Sequence, residues 1–312
     1  GYYHTAWTTN GPRGPAPKLA QLDETARLTT GDDLAAAITR GELAAKDALA
    51  ELRALADSHD PYAQLGAIAI ARALDHLVDD TTRPAWSAWL AARFSDRFAP
   101  AHRAVVENEL ANEVVTLISA DRFPSAVTRA AAEALGKMIA DGGRDLPEEL
   151  VTLAAAPGGD KLFMRIADRA RTLPEESRTD WLESLGHFGA AQAPLAVALL
   201  TDPSFPADEA WSAVDGYFVR PATRSEAWRA LKPALPAALK RMPAGKAAEM
   251  IDATGALCDT TSRDEVAAAF TPHLSSIQDG KAHLDRALAS IDHCVTTRGT
   301  LGDIAAALAA SK

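Results

Sequence analysis

Apolar periodicity broken at short intervals constrains this chain more than any other feature. Ile70, Leu74 and Leu77 recur at helical spacing in one segment, and Val106, Leu110, Val114 and Leu117 in another. Residues three and four apart share one face of a helix, so each stripe needs a neighbouring helix to cover it. Turn residues keep the segments short: DSHDP at 57–61, DDTTRP at 79–84, DRFPS at 121–125 before a helix around Leu135, DGGRDLP at 141–147 and TDPSFP at 201–206. Thr223 with Glu226, and Ser262 with Glu265, have the capping-box spacing and predict two further helix starts. Short amphipathic helices on short loops bury their stripes by stacking as pairs. No fixed repeat period is visible, so the expected fold is all-α, an irregular α-solenoid of HEAT- or armadillo-like helix pairs.

The first residues break this pattern. In GYYHTAW, Gly1 to Trp7, Tyr3, Thr5 and Trp7 alternate with Tyr2, His4 and Ala6 as a β-strand with two dressed faces would. A lone strand cannot satisfy its backbone groups, so it needs sheet neighbours, and no second strand of this quality appears later in the sequence. GPRGPAPK at 11–18 follows as a linker, and helical periodicity begins beyond it. A chain beginning with Gly rather than Met suits a processed product or an excised fragment.

Hydrophobic residues make up 47% of the chain and charged residues 24%, enough for a sizeable core and too ordered a balance for intrinsic disorder. The formal net charge of -10 argues against nucleic acid or an anionic membrane as the main partner, since either selects a basic face. No apolar stretch reaches the roughly 20 residues that span a bilayer, so a soluble chain is expected, cytoplasmic or exported according to what precedes Gly1. Cys258 and Cys294 have no metal-type spacing. They read as two separate semi-buried thiols in a reducing cell, or as a disulfide tying the last helices together in an exported protein.

Catalytic signatures are scarce. The eight histidines, His4, His59, His76, His102, His187, His273, His283 and His293, form no HExxH, the arrangement that grips zinc one helical turn apart with a glutamate base between. His293 beside Cys294 points about 100° away from it on a helix, so the two read as surface groups rather than ligands. GxSxG, Walker and GxGxxG motifs are absent. The acid pairs Asp32/Asp33, Asp79/Asp80, Glu148/Glu149 and Glu175/Glu176 lie near expected helix starts or in loops, where carboxylates favour the helix dipole or face water. A helical-barrel glycosidase using such a pair ranks below that reading. Trp86, Trp89, Trp181, Trp211 and Trp228 are spread over the helices and read as core anchors. Arg220 in YFVRPATRSEAW differs, because it sits in a break between helices. An arginine there binds a carboxylate bidentately or bonds local carbonyls, and the sequence favours neither.

Taken in order, several segments resemble the C-terminal region of the aminopeptidase N family of zinc aminopeptidases, which includes the endoplasmic-reticulum and puromycin-sensitive enzymes. GYYHTAW is similar to the family's GYYRVxY strand, with His4 where arginine is usual. ARLTTGDDLAAAITRGELAAKDALAEL at 26–52 and YFVRPATRSEAWRAL at 217–231 resemble two further family segments. GALCDTTSRDEVAAAF at 255–270 and LDRALASIDHCV at 284–295 resemble its closing helices. The resemblance implies that residues 1–12 are the strand and linker remnant of a β-sandwich domain and that 13–312 are the C-terminal helical repeat domain. Such a domain encloses the active-site chamber and holds the distal part of a peptide substrate, and its opening gates access.

The implied site residues are Arg220, which matches a substrate-facing arginine of the RNP segment although Val219 replaces its usual neighbour, and His187 in SLGHFGAAQ, where relatives often carry arginine. The implied partners are upstream catalytic and β-sandwich domains of the same polypeptide and the peptide substrate. Zinc and the catalytic groups would belong to the missing catalytic domain, with no cofactor in this chain and no catalysis by it alone. A free-standing helical-repeat adaptor that binds a protein partner is the alternative expectation.

Overall fold

The computed structural model of this chain describes residues 24–95, 113–115, 117–118, 122–143 and 146–310. The expected strand Gly1–Trp7, the linker after it, His4, His102, Val106 and Leu110 lie outside the described residues. Every regular element among the described residues is helical: α1 (Glu24–Thr39), α2 (Ala45–Ala56), α3 (Pro61–Asp75), α4 (Arg83–Phe94), α5 (Ser125–Ala140), α6 (Glu148–Ala170) and α7 (Glu175–Ser184) in the first half. They are followed by α8 (Ala193–Leu199), α9 (Ala207–Val219), α10 (Arg224–Arg241), α11 (Ala244–Thr254), α12 (Thr260–Phe270), α13 (Gly280–Leu301) and α14 (Ile304–Ala310), with short 3-10 turns between some of them. The fold is all-α and solenoid-like, as the periodicity predicts. No helix among the described residues is long and apolar enough to cross a membrane. The chain forms two compact units, one of Gly1–Arg122 with Val295–Lys312 and one of Phe123–Cys294.

In the first unit α1 lies directly against α3. A Cβ added to Gly31 would stand 2.2 Å from the Gly66 Cα, so the crossing exists only because neither residue has a side chain. Ile38, Leu49, Leu52, Leu55, Ile70, Leu74 and Trp86 form its core. Pro61 opens α3 behind Asp60, whose carboxylate accepts from the Tyr62 N–H. At the other end of α3, Asp75 accepts from Trp86 Nε1 at 2.8 Å and from Arg83 Nη1 at 2.7 Å, which fixes the entry of α4. Residues 295–301 of α13 return to this unit, where Arg298 Nε donates to the Leu77 carbonyl at 2.7 Å, and α14 packs on α2 and α4.

The second unit repeats one packing step. Helix α6 lies along α5 and kinks at Pro157 and Gly159, whose φ of 48° is open to glycine at no steric cost. Beyond it α7, α9 and α11 contact one another in succession, as α8 does α10. Trp228 of α10 then meets Phe270 of α12 with ring centroids 6.4 Å apart, and Asp252 of α11 meets His283 of α13 at 2.8 Å. Trp181, Trp211 and Trp228 are buried in α7, α9 and α10, and Trp86 and Trp89 in α4 of the first unit, as expected of anchors. Truncating a fully buried tryptophan such as Trp181 to alanine costs about 3–5 kcal/mol.

Two sequence expectations are corrected. Neither capping box forms. The Thr223 hydroxyl turns inward and donates to the Tyr217 carbonyl at 2.7 Å, because those carbonyls at the end of α9 are buried and need a donor. Helix α12 is capped by Asp259, which accepts from the Ser262 N–H at 2.7 Å, leaving Glu265 to pair with Lys232 and Trp228. Cys258 and Cys294, for which separate thiols and a disulfide were both open, form a disulfide with Cα atoms 5.4 Å apart.

The glycines give a paired stability test. Gly31→Ala overpacks the α1–α3 crossing and is expected to destabilise the chain by about 1–3 kcal/mol. Gly299→Ala, where an added Cβ meets nothing within 4 Å inside α13, is expected to stabilise it by about 0.5–1 kcal/mol. Denaturant unfolding of both variants checks the opposite signs.

Candidate functional site

The two residues singled out from sequence are brought together in the second unit, and a second glycine crossing does it. A Cβ added to Gly186 would lie 2.9 Å from the Gly216 Cα, so the 3-10 turn Leu185–His187 at the end of α7 sits directly on α9. Phe188 anchors that turn: it is fully buried and meets Phe163 of α6 edge to face, with centroids 5.3 Å apart. Arg220 ends α9 in an extended conformation, and its side chain folds back toward the turn. Nη1 donates to the His187 carbonyl at 3.0 Å, Nη2 donates to the Phe188 carbonyl, and Nε donates to the Gly216 carbonyl at 3.4 Å. The guanidinium also lies 5.5 Å from the centre of the Tyr217 ring.

Burial dominates the electrostatics. It lowers the Arg220 pKa to about 10, which leaves the group charged at neutral pH. No carboxylate among the described residues hydrogen-bonds this guanidinium. His187 is lowered to about 4, first by burial and then by the Arg220 charge, so its imidazole is neutral at pH 7. Its Nδ1 stands 3.9 Å from a Glu148 carboxylate oxygen, too far for a hydrogen bond. The Tyr217 hydroxyl is buried with no hydrogen-bond partner among the described residues, and burial raises its pKa.

The arrangement can therefore hold a positive charge in a part-apolar setting beside a neutral imidazole. It offers no nucleophile–base pair. No group of three or more His, Cys, Asp or Glu side chains fit to hold a metal ion occurs among the described residues. Elsewhere in the unit, burial raises the Asp215 pKa, with Glu249 and Glu183 adding to the effect, so three helices contribute carboxylates to one strip. A cleft of about 410 Å³ opens between α10 and α12, lined by Lys232, Leu235, Pro236, Glu265, Ala268 and Ala269, and neither Arg220 nor His187 borders it.

Arg220 belongs to a set that sequence reading did not recognise. Arg169 Nη2 donates to the Gly142 carbonyl at 3.2 Å, and Arg171 Nη2 to Asp202 at 2.8 Å. Arg178 grips Glu209 with two nitrogens, and Arg241 Nη2 donates to the Phe205 carbonyl at 2.7 Å while Nη1 donates to that of Leu200. Ser204 and Arg171 hold Asp202 down at about 2. The visible signal for Arg169, Arg171, Arg220 and Arg241 is an arginine in or beside a last helical turn, where the dipole favours a cation, whereas Arg178 lies near the start of α7 and carries no such signal. No protein-family model matches this chain, and no curated protein is significantly similar to it.

The His187 environment sets a pH dependence. Its folded pKa lies below the unfolded value near 6.5, so stability is fully present above that pH. It declines as the unfolded chain takes up a proton that the folded chain refuses, by roughly 3 kcal/mol between pH 6.5 and 4. His187→Gln is expected to remove that component from denaturant midpoints measured across the range. An imidazole NMR titration placing His187 near 6.5 would contradict the assignment.

Proposed function

We propose that this chain is the non-catalytic helical domain of a zinc aminopeptidase, enclosing the catalytic chamber and holding the distal part of the peptide. Upstream catalytic and β-sandwich domains of the same polypeptide would complete the enzyme, and zinc would reside there. Support comes from five segments in family order and from an all-α fold of paired helices. The observation that carries the reading is the meeting of His187 and Arg220. Two motifs more than thirty residues apart in sequence each pointed to one substrate-facing residue, and Arg220 Nη1 lies 3.0 Å from the His187 carbonyl.

The chemistry suits a peptide carboxylate. A guanidinium carries five N–H groups in a planar fork. Three carbonyls engage one bond from each of its nitrogens, so charge and donors remain for an anionic guest. With the neighbouring imidazole neutral at pH 7, Arg220 alone supplies the positive charge there. Binding is expected to stay constant between pH 6 and 8, because neither group titrates in that window.

The isolated chain is expected to show no hydrolysis of aminoacyl arylamides and no stoichiometric zinc after dialysis. Turnover that survives repurification and disappears on chelation would contradict the reading. In the whole polypeptide, Arg220→Lys keeps the charge but loses the fork, and is expected to raise KM for peptides about tenfold while leaving KM for a small arylamide unchanged. Equal effects on both substrates would remove Arg220 from substrate binding.

A further inference from the structure

We propose that the Cys258–Cys294 disulfide is a redox latch on the terminal helix pair of the second unit. Intact, it locks α12 and residues 280–294 onto α10 and α11; reduced, it lets that pair open while α7 to α10 stay folded. The bond joins the loop after α11 to the middle of α13 across 36 residues, and everything between is α12, a 3-10 turn and the first part of α13. Cys258 and Cys294 both belong to the second unit, so the bond is internal to it.

The enclosed segment depends on this bond because little else holds it. Helix α12 buries only Val266 and Phe270, and the turn Thr271–Ser276 buries nothing. Ile277, Leu284, Ala287 and Ile291 complete its apolar contribution. By contrast α9 alone buries Ala207, Ala210, Trp211, Ala213, Val214, Tyr217 and Phe218. The polar ties of the pair to its neighbours are few: one backbone bond from the Gln278 N–H to the Ala244 carbonyl at 3.3 Å, and side-chain contacts of Glu265 with Lys232 at 2.7 Å and Trp228 at 2.9 Å, of His283 with Asp252 at 2.8 Å and of Arg286 with Asp252 at 3.6 Å. A segment with few buried contacts opens at low free energy, and a cross-link that removes loop entropy from the open state opposes that opening.

The two sulfurs differ in access. Cys258 is 4% exposed, whereas Cys294 is half-buried, so an incoming thiolate reaches Cys294 Sγ first. One thiolate of a small dithiol attacks that sulfur, the S–S bond breaks, and Cys258 leaves as a thiolate that takes a proton from water. The second thiolate of the reagent then displaces Cys294 from the mixed disulfide. Two electrons pass from the dithiol to the protein, leaving two protein thiols and an oxidised reagent.

Hydrogen exchange on the full chain, equilibrated with oxidised glutathione and then treated with or without dithiothreitol, tests the latch. The oxidised chain is expected to contain no free thiol under denaturing conditions and to yield a cross-linked Cys258–Cys294 peptide. Reduction is expected to speed exchange within 260–294 at least tenfold and to leave α7 to α10 unchanged. A Cys258→Ala/Cys294→Ser double variant should match the reduced chain and ignore dithiothreitol. Two free thiols in the oxidised sample, unchanged exchange on reduction, or loss of protection spread evenly over the unit would each overturn the proposal.

Discussion

The arginine that folds back from the end of a helix onto the turn of the preceding pair is the interaction on which the second unit depends. A helix leaves its last carbonyls without donors, and in a stacked array those carbonyls are buried by the next pair rather than hydrated. Arg220 meets this demand for His187 and Phe188, and Arg241 does so for Leu200 and Phe205. Each arginine reaches back thirty residues or more, so it ties one helix pair to the one before it. Arg171 and Arg178 reach the other way, forward to the carboxylates of Asp202 and Glu209, and tie each pair to the one after it. Burying a guanidinium is costly, and hydrogen bonds to several oxygens offset that cost.

Close backbone approach makes the Arg220 clamp possible. The His187 and Phe188 carbonyls come within reach because Gly186 and Gly216 let the 185–187 turn rest on α9, and Phe188 pins it against Phe163. The same geometry half-buries His187, and that burial together with the Arg220 charge keeps its imidazole neutral at pH 7. The outcome is a cation in a setting of lowered dielectric with carbonyl dipoles as its partners. That state supports the fold, and the proposed function asks the same charge to meet a peptide carboxylate as well. Structure and proposed function thus rest on one side chain.

Much of the fold was legible because helical periodicity is local. Ile70 and Leu74 share a buried face of α3, and the turn sequences fall between helices, since three-residue spacing and turn chemistry act within a few positions. What was misread is non-local. The capping boxes failed because Thr223 and Glu265 found partners brought by folding, at Tyr217, Trp228 and Lys232. Glycine spacing gave no hint that Gly31 would meet Gly66, or Gly186 meet Gly216. Of the candidate site, the residue identities could be picked from motifs, but the three carbonyls around Arg220 and the burial of His187 come from tertiary packing. The two cysteines were ambiguous for the same reason: 36 residues separate them, and only the return of α13 onto the α11 loop joins them.

Binding of short peptides to the isolated chain tests the central claim most directly, using calorimetric titration with one sequence as the free acid and as the C-terminal amide. At constant salt and pH 7 the free acid is expected to bind at least tenfold more tightly, as a charge-assisted pair to Arg220 requires. Equal affinity of acid and amide would show that the Arg220 charge serves the fold alone, and would contradict its role in holding a peptide carboxylate.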